Sequence, residues 1–195
     1  YSSITESVEG YEDPSNYSFD TTKPLFRGFN YTLGVQKDAG SYEDVEVFVN
    51  GVSIGTTDSS GDVEFEAPYS GSINISINTE DGEYSESVDT YPLNFDIIKP
   101  ENGGLSQDYG DDSSNIDINA EFEIDAGLNG DYKVYLDGNQ MAQGSVTSGQ
   151  NQISETLTVN EEGTYELFIE YTADGKTVES YTSTFDVEWV EQPFM

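Results

Sequence analysis

The chain has 195 residues, 39 acidic against 6 basic, with no histidine, no cysteine and a formal net charge of −33. Without cysteine it has no disulfide staple and no thiolate metal site, and without a basic stripe it has nothing to meet nucleic-acid phosphates. The missing histidine removes the commonest general base near neutral pH, so the chain is expected not to be an enzyme.

In chain order, residues 1–18 read as an acidic lead-in whose end, around Tyr17 and Phe19, starts the first domain. Phe29, Tyr31, Leu33 and Val35 then share one parity, and the strand they predict ends in an Asp38-Ala39-Gly40 turn. Val45, Val47 and Val49 alternate with Asp44, Glu46 and Phe48 up to Asn50-Gly51, a hairpin turn whose two central residues need positive φ. Val52 and Ile54 follow, then an Asp58-Ser59-Ser60-Gly61 turn, then Val63, Phe65 and Ala67, ended by Pro68. Ile73, Ile75 and Ile77 alternate with polar residues, Asp81-Gly82 turns the chain, and Leu93, Phe95 and Ile97 are expected to close the first unit.

The second half repeats this grammar. Ile116, Ile118, Ala120, Phe122 and Ile124 make the cleanest half-buried strand, followed by Tyr132, Val134 and Leu136 and an Asp137-Gly138 turn. In the next strand Glu155 shares parity with Ile153, Leu157 and Val159, which marks an edge or a bulge. Tyr165, Leu167, Ile169 and Tyr171 lead to an Asp174-Gly175 turn. One long last strand is expected to run through Phe185, Val187 and Trp189, with a bulge where parity shifts after Val178, and to end before Pro193. Val45–Gly51 aligns with Tyr132–Gly138 at an offset of 87 residues. That period is one small sandwich of about seven strands. The expected organisation is therefore all-β, with sandwich domains at 1–98 and 99–195 and Lys99-Pro100-Glu101-Asn102-Gly103-Gly104 as a short linker.

Charge is spread evenly, 19 acids and 3 bases in residues 1–97 against 20 and 3 in 98–195. With 25 aromatic residues the chain has the apolar material to fold, unlike disordered acidic chains. Its self-repulsion would be severe in dilute buffer and mostly screened at molar salt, where the Debye length is about 3 Å, which points to a halophile. No stretch approaches the roughly 18 apolar residues of a membrane-spanning helix. Tyr1 is not an initiator methionine and begins no signal-peptide pattern, so the chain is expected to be a processed product or an excised fragment, with any signal peptide or membrane anchor of the parent outside it.

Val47, Val49, Asn50-Gly51, Gly55-Thr56-Thr57-Asp58, Gly61, Val63, Phe65, Ala67-Pro68 and Gly71 resemble a run found in extracellular Ig-like and carboxypeptidase-regulatory-like β-sandwiches of bacteria and archaea. The second unit keeps Asp137-Gly138 but has Ala142-Gln143-Gly144 where the first has the Gly-Thr-Thr-Asp element. The resemblance implies two tandem Ig-like/fibronectin-like β-sandwich domains. With the haloarchaeal composition, it implies an extracellular structural or adhesive module of a cell-surface protein. Carbohydrate- or receptor-binding accessory modules, and subunits of surface filaments or virus particles, are built from similar repeats.

Candidate sites are few. Asn16, Asn30 and Asn74 begin N-x-[ST] sequons, and Asn30 and Asn74 fall on the outward parity of their strands, so the chain is a candidate glycoprotein. Asp108, Asp111 and Asp112, and separately Asp58 and Asp62, are weak candidates for Ca2+, though neither loop has the spacing of a twelve-residue calcium loop. No other cofactor is implied. Tyr135, Tyr181 and Phe48 fall on or near the outward side, where aromatics can hold a neighbouring protein or a glycan. Expected partners are other surface proteins, copies of this chain, or glycans.

Overall fold

A computed structural model describes residues 16–69, 71–80, 82–110 and 115–191, with only the backbone described for 106–110 and 189–191. The chain divides into two compact units, Tyr1–Thr90 and Tyr91–Met195.

The first unit holds β1 (Tyr17–Thr21), β2 (Leu25–Phe26), β3 (Asn30–Lys37), β4 (Gly40–Ser41), β5 (Glu46–Val49), β6 (Val52–Thr56), β7 (Asp62–Glu66), β8 (Ser72–Thr79) and β9 (Gly82–Tyr91). Strand β3 lies between β1 and β7 and also pairs with β4, while the second sheet runs β2-β9-β8-β5-β6. The expected alternation is what closes this unit. Tyr31, Leu33 and Val35 of β3, with Val63 and Phe65 of β7, pack in one cluster with Val47, Val49, Ile73, Ile75 and Ile77 of the other sheet. Each such burial stabilises by roughly 1.5–3 kcal/mol. The buried Thr57 hydroxyl is satisfied twice, donating to the Tyr42 carbonyl (2.7 Å) and accepting from the Val45 N–H (3.1 Å).

The second unit holds β10 (Leu93–Lys99), β11 (Leu105–Gly110), β12 (Ile116–Ala126), β13 (Gly130–Leu136), β14 (Asn139–Val146), β15 (Gly149–Val159), β16 (Gly163–Ala173), β17 (Lys176–Glu179) and β18 (Ser183–Glu191). One sheet runs β10-β12-β15; the other runs β11-β18-β16-β13-β14, with β17 also on β16. All six inward residues of β12, from Ile116 to Ala126, are buried. The Phe122 and Tyr132 rings meet edge-to-face across the two sheets, 5.5 Å apart.

Both units share one plan. The first long strand pairs with the second (β1 with β3, β10 with β12), and the chain then crosses to the other sheet as a short strand beside the last one (β2 by β9, β11 parallel to β18). A cis Lys-Pro bond lies at each crossover, Lys23-Pro24 and Lys99-Pro100. The aligned hairpins β5–β6 and β13–β14 turn through Asn50-Gly51 and Asp137-Gly138, all at positive φ. Each carries a one-residue bulge at the same place, Ile54 and Met141. The turn residue also reaches the neighbouring strand: Asn50 Oδ1 accepts from the Asn74 N–H (2.9 Å) and Asp137 Oδ1 from the Glu166 N–H (2.8 Å). These are two tandem sandwiches of the Ig-like/fibronectin-III-like class.

Two expectations change. Leu93–Lys99 does not close the first unit; it pairs with β12 from Leu93↔Ala126 to Lys99↔Glu121, so the division falls at Thr90/Tyr91 rather than 98/99. Lys99–Gly104 is consequently a crossover inside the second sandwich, held by Gly103 N–H to Thr184 O (2.5 Å) and Asp186 N–H to Gly104 O (2.9 Å), and not a linker. The last strand has its break where the parity shift placed a bulge: β17 and β18 both run along β16, and the register slips by one residue between Glu170↔Glu179 and Leu167↔Ser183, where the Ser180 hydroxyl accepts from the Ile169 N–H (2.9 Å).

Candidate functional site

The two carboxylates expected to flank Gly61 do different things. Asp58 Oδ1 accepts from the N–H groups of Ser60 (2.7 Å) and Asp62 (3.0 Å), so it closes its own turn. Gly61 is required there, since at φ +81 a Cβ would sit 2.8 Å from the Val35 carbonyl oxygen. Asp62 instead points outward beside Gly34, opposite Asp20 on the far side of β3. A shallow polar basin of about 220 Å³ lies over Gly34, lined by Asp20, Asp62, Thr32, Gln36, Ser41 and Ser60 among others. The sequence pattern did not pair Asp20 with Asp62, because they are neighbours only across a third strand. Two carboxylates fall well short of the six to eight oxygens calcium takes. Asp108 lies in β11 with its side chain undescribed, and Asp111 and Asp112 fall outside the described residues. Among the described residues no three His, Cys, Asp or Glu are grouped to hold a metal ion.

The second unit has an open depression of about 400 Å³ beside its crossover, lined by Lys99, Pro100, Glu101, Gly104, Leu105, Asp117 and Asn119. At its side, Lys99 Nζ and Asn119 Nδ2 both donate to Glu121 Oε1, at 3.0 and 2.8 Å. The Lys99 hydrogen bond, then that from Asn119, holds the Glu121 carboxyl below the ordinary carboxylate range.

Asn30 and Asn74 are exposed on their strands, and Asn16 is half-buried, its carbonyl accepting from the Asp38 N–H. The tyrosines divide by role. Tyr171 is fully buried, with its hydroxyl donating to the Leu128 carbonyl (2.6 Å). Tyr132 is buried and donates to Glu155 Oε1 (2.6 Å), so the polar residue at inward parity has a partner within its own sandwich. Tyr135 lies on the outer face, stacked on Phe168 at 4.9 Å, and donates to Glu170 Oε2 (2.8 Å). That stacking covers one face of each ring. Tyr181 is half-exposed, and its hydroxyl accepts from the Ile97 N–H (2.8 Å). Burial pushes the phenols of Tyr31, Tyr84, Tyr132, Tyr165 and Tyr171 up, and the Glu170 carboxylate does the same for Tyr135. Each of these shifts moves a pKa further from neutral pH, so the phenols stay uncharged and Glu121 stays ionised there.

No protein-family model and no curated protein matches the chain. Among solved structures it is similar to fibronectin(III)-like modules of CbhA from Clostridium thermocellum, at 10% identity over 89% of this chain and 95% of that one, with a TM-score of 0.33. A CARDB domain from Pyrococcus furiosus matches at 16% identity over 51% of this chain and 94% of that one (TM-score 0.34). Three N-terminal domains of the highly immunogenic outer capsid protein of bacteriophage RB49 match at 13% identity over 90% and 70% (TM-score 0.39). The assignment of the fold rests on the strand order of each unit.

Proposed function

We propose that the chain is an extracellular structural or adhesive module of a halophile surface protein, working by spacing and assembly. The observation that carries this is an acidic skin over two complete sandwich cores. Strand β12 buries its whole inward row, while Asp117 stands exposed on its outer face, and β7 buries Val63 and Phe65 while exposing Glu64 and Glu66. A net charge of −33 disfavours the compact state in dilute buffer and is tolerated where salt is always high. Its partners are other surface proteins or copies of itself, and Asn30 and Asn74 are the proposed glycan acceptors.

Labelling of the producing organism with antibodies to this chain tests the placement. Intact cells should label as fully as permeabilised ones; labelling only after permeabilisation overturns the proposal. Thermal melts should rise steadily between about 0.1 and 2 M KCl, and a salt-independent melt would remove the halophile part. Intact-mass analysis of native material should find added hexose mass on peptides containing Asn30 or Asn74.

A further inference from the structure

A sheet edge presents unpaired N–H and C=O groups, and proteins blunt such edges with short strands, charges, bulges or covering groups. Among the described residues the outer strands carry those devices to very different degrees. In the first unit β2 has two residues, β6 is bulged at Ile54, β1 is five residues long and includes Asp20, and β7 is five residues long with Asp62, Glu64 and Glu66. In the second unit β14 is bulged at Met141, β17 is four residues long with Lys176 and Glu179, and β11 includes Asp108. The register of β10 slips between Ile97 and Lys99, and the Tyr181 hydroxyl takes the Ile97 N–H.

Strand β15 carries the fewest: its one charge, Glu155, has inward parity and accepts the Tyr132 hydroxyl, so it does not stand on the outer face. The strand runs 11 residues in unbroken register with β12, from Ala126↔Gly149 to Ile116↔Val159, and among the described residues it pairs with β12 alone. It contains no proline and no lysine. Half of its main-chain polar groups, roughly five N–H and five C=O, therefore face away from its only partner. Its solvent-side residues Gln150, Gln152, Ser154, Thr156 and Thr158 are exposed and uncharged. The neutrality extends to one side of it: in residues 138–160, which form β14, β15 and the turn between them, the only charge is Glu155, whereas 23% of the whole chain is charged and the partner strand β12 carries Asp117, Glu121, Glu123 and Asp125 on its outer parity. Glu155 itself accepts the Tyr132 hydroxyl.

We propose that the outer edge of β15 docks antiparallel against the same edge of a second copy of this chain, joining two three-stranded sheets across a two-fold axis. Antiparallel pairing of a strand with itself is self-complementary, as a two-fold interface must be. It also brings together edges whose own residues are uncharged apart from Glu155 at inward parity. Two chains at −33 repel through the rest of their surfaces, and the β14–β15 side is where that repulsion is weakest. The inference deepens the assembly part of the proposed function.

Sedimentation velocity in about 2 M KCl, over roughly 1–200 µM protein, tests it. The mass should rise from 21.5 kDa to twice that value as concentration increases, and association should weaken as salt is lowered. Amides of β15 should gain hydrogen-exchange protection at the higher concentrations. The double variant Gln152→Lys/Thr156→Lys places the natural edge guard on exposed positions, so it should raise the dissociation constant at least about tenfold with an unchanged far-UV spectrum. Gln143→Lys on the bulged β14 should leave the dimer intact. A mass of 21.5 kDa throughout, or a dimer that survives the double lysine variant with β15 exchange independent of concentration, overturns the proposal. Neither result touches the cell-surface placement, which antibody labelling decides separately.

Discussion

The hairpin β5–β6 of the first unit and β13–β14 of the second are built alike, down to a bulge one turn of the ladder away from an Asn-Gly or Asp-Gly corner. The strands that follow them are not alike. Strand β7 is short and carries three carboxylates, whereas β15 is twice as long and carries one. Both occupy the same place, at the outer side of the strand that supplies most of the inward row. The shared hairpin therefore belongs to the fold, since it closes the sandwich, while the edge beside it is free to differ because only one side of that strand is committed to the core. That freedom is where the two units take separate roles.

The largest expected effects test whether the two cores are equivalent. Phe65→Ala and Phe122→Ala remove rings that are 5% and 1% exposed, and each should cost about 3–5 kcal/mol of its own unit's stability. Denaturant titration with residue-resolved hydrogen exchange should locate each loss in the unit that holds the ring; a loss shared evenly would break the two-sandwich comparison. Next come the turn glycines. Gly61→Ala combines positive φ with a clash against the Val35 carbonyl and should cost about 2–3 kcal/mol. Gly138→Ala has φ +74 but open space around it and should cost only about 1 kcal/mol. Equal melting shifts for these two variants would mean that conformation, and not the close approach over β3, decides the cost.

The alkaline limb tests a buried phenol of the second unit. Burial, then the nearby Asp174 charge, pushes Tyr171 up to about 12 from 10.0. The unfolded chain therefore ionises first, and the stability this hydroxyl contributes is complete below pH 10 and lost as pH rises toward 12. In Tyr171→Phe the second unit should be less steeply destabilised across that interval, as followed by near-UV melts against pH. The smallest effect is at Glu121. Its depressed pKa stabilises the fold above the ordinary carboxyl value and is lost as pH falls through the folded value. Lys99→Met should raise that pKa toward normal, visible by carboxyl NMR titration, with a melting change near zero because the pair is exposed.

What was legible in the sequence was whatever a few consecutive residues decide. Period-2 alternation placed Leu33, Val47, Ile75, Ile118 and Ile169 inside, and the Asn-Gly and Asp-Gly dipeptides fixed hairpins because both residues must accept positive φ. The off-pattern Glu155 correctly announced an edge, and its ladder shows no bulge. The candidate carboxylates were poorly legible: Asp58 is consumed by its own turn, and the Asp20–Asp62 pair over Gly34 depends on two different neighbours of β3. The sheet membership of Leu93–Lys99 was not legible either. Its alternation suits either unit equally, and only pairing with β12 more than twenty residues later assigns it.

The uneven exposure of the acidic skin follows the same division. Sequence by itself determined the alternating core strands, the hairpin corners, the repeated hairpin and the −33 charge, because each depends on local stereochemistry or on composition, while the segment from Gln107, which reads as a polar loop, lies partly in β11. Tertiary structure alone decided where one sandwich ends and the next begins, that Lys-Pro marks a crossover in both, and that the longest uncharged run leads into an open sheet edge. Those features rest on which strands become neighbours, and strand pairing is a contest between distant segments that no single segment encodes.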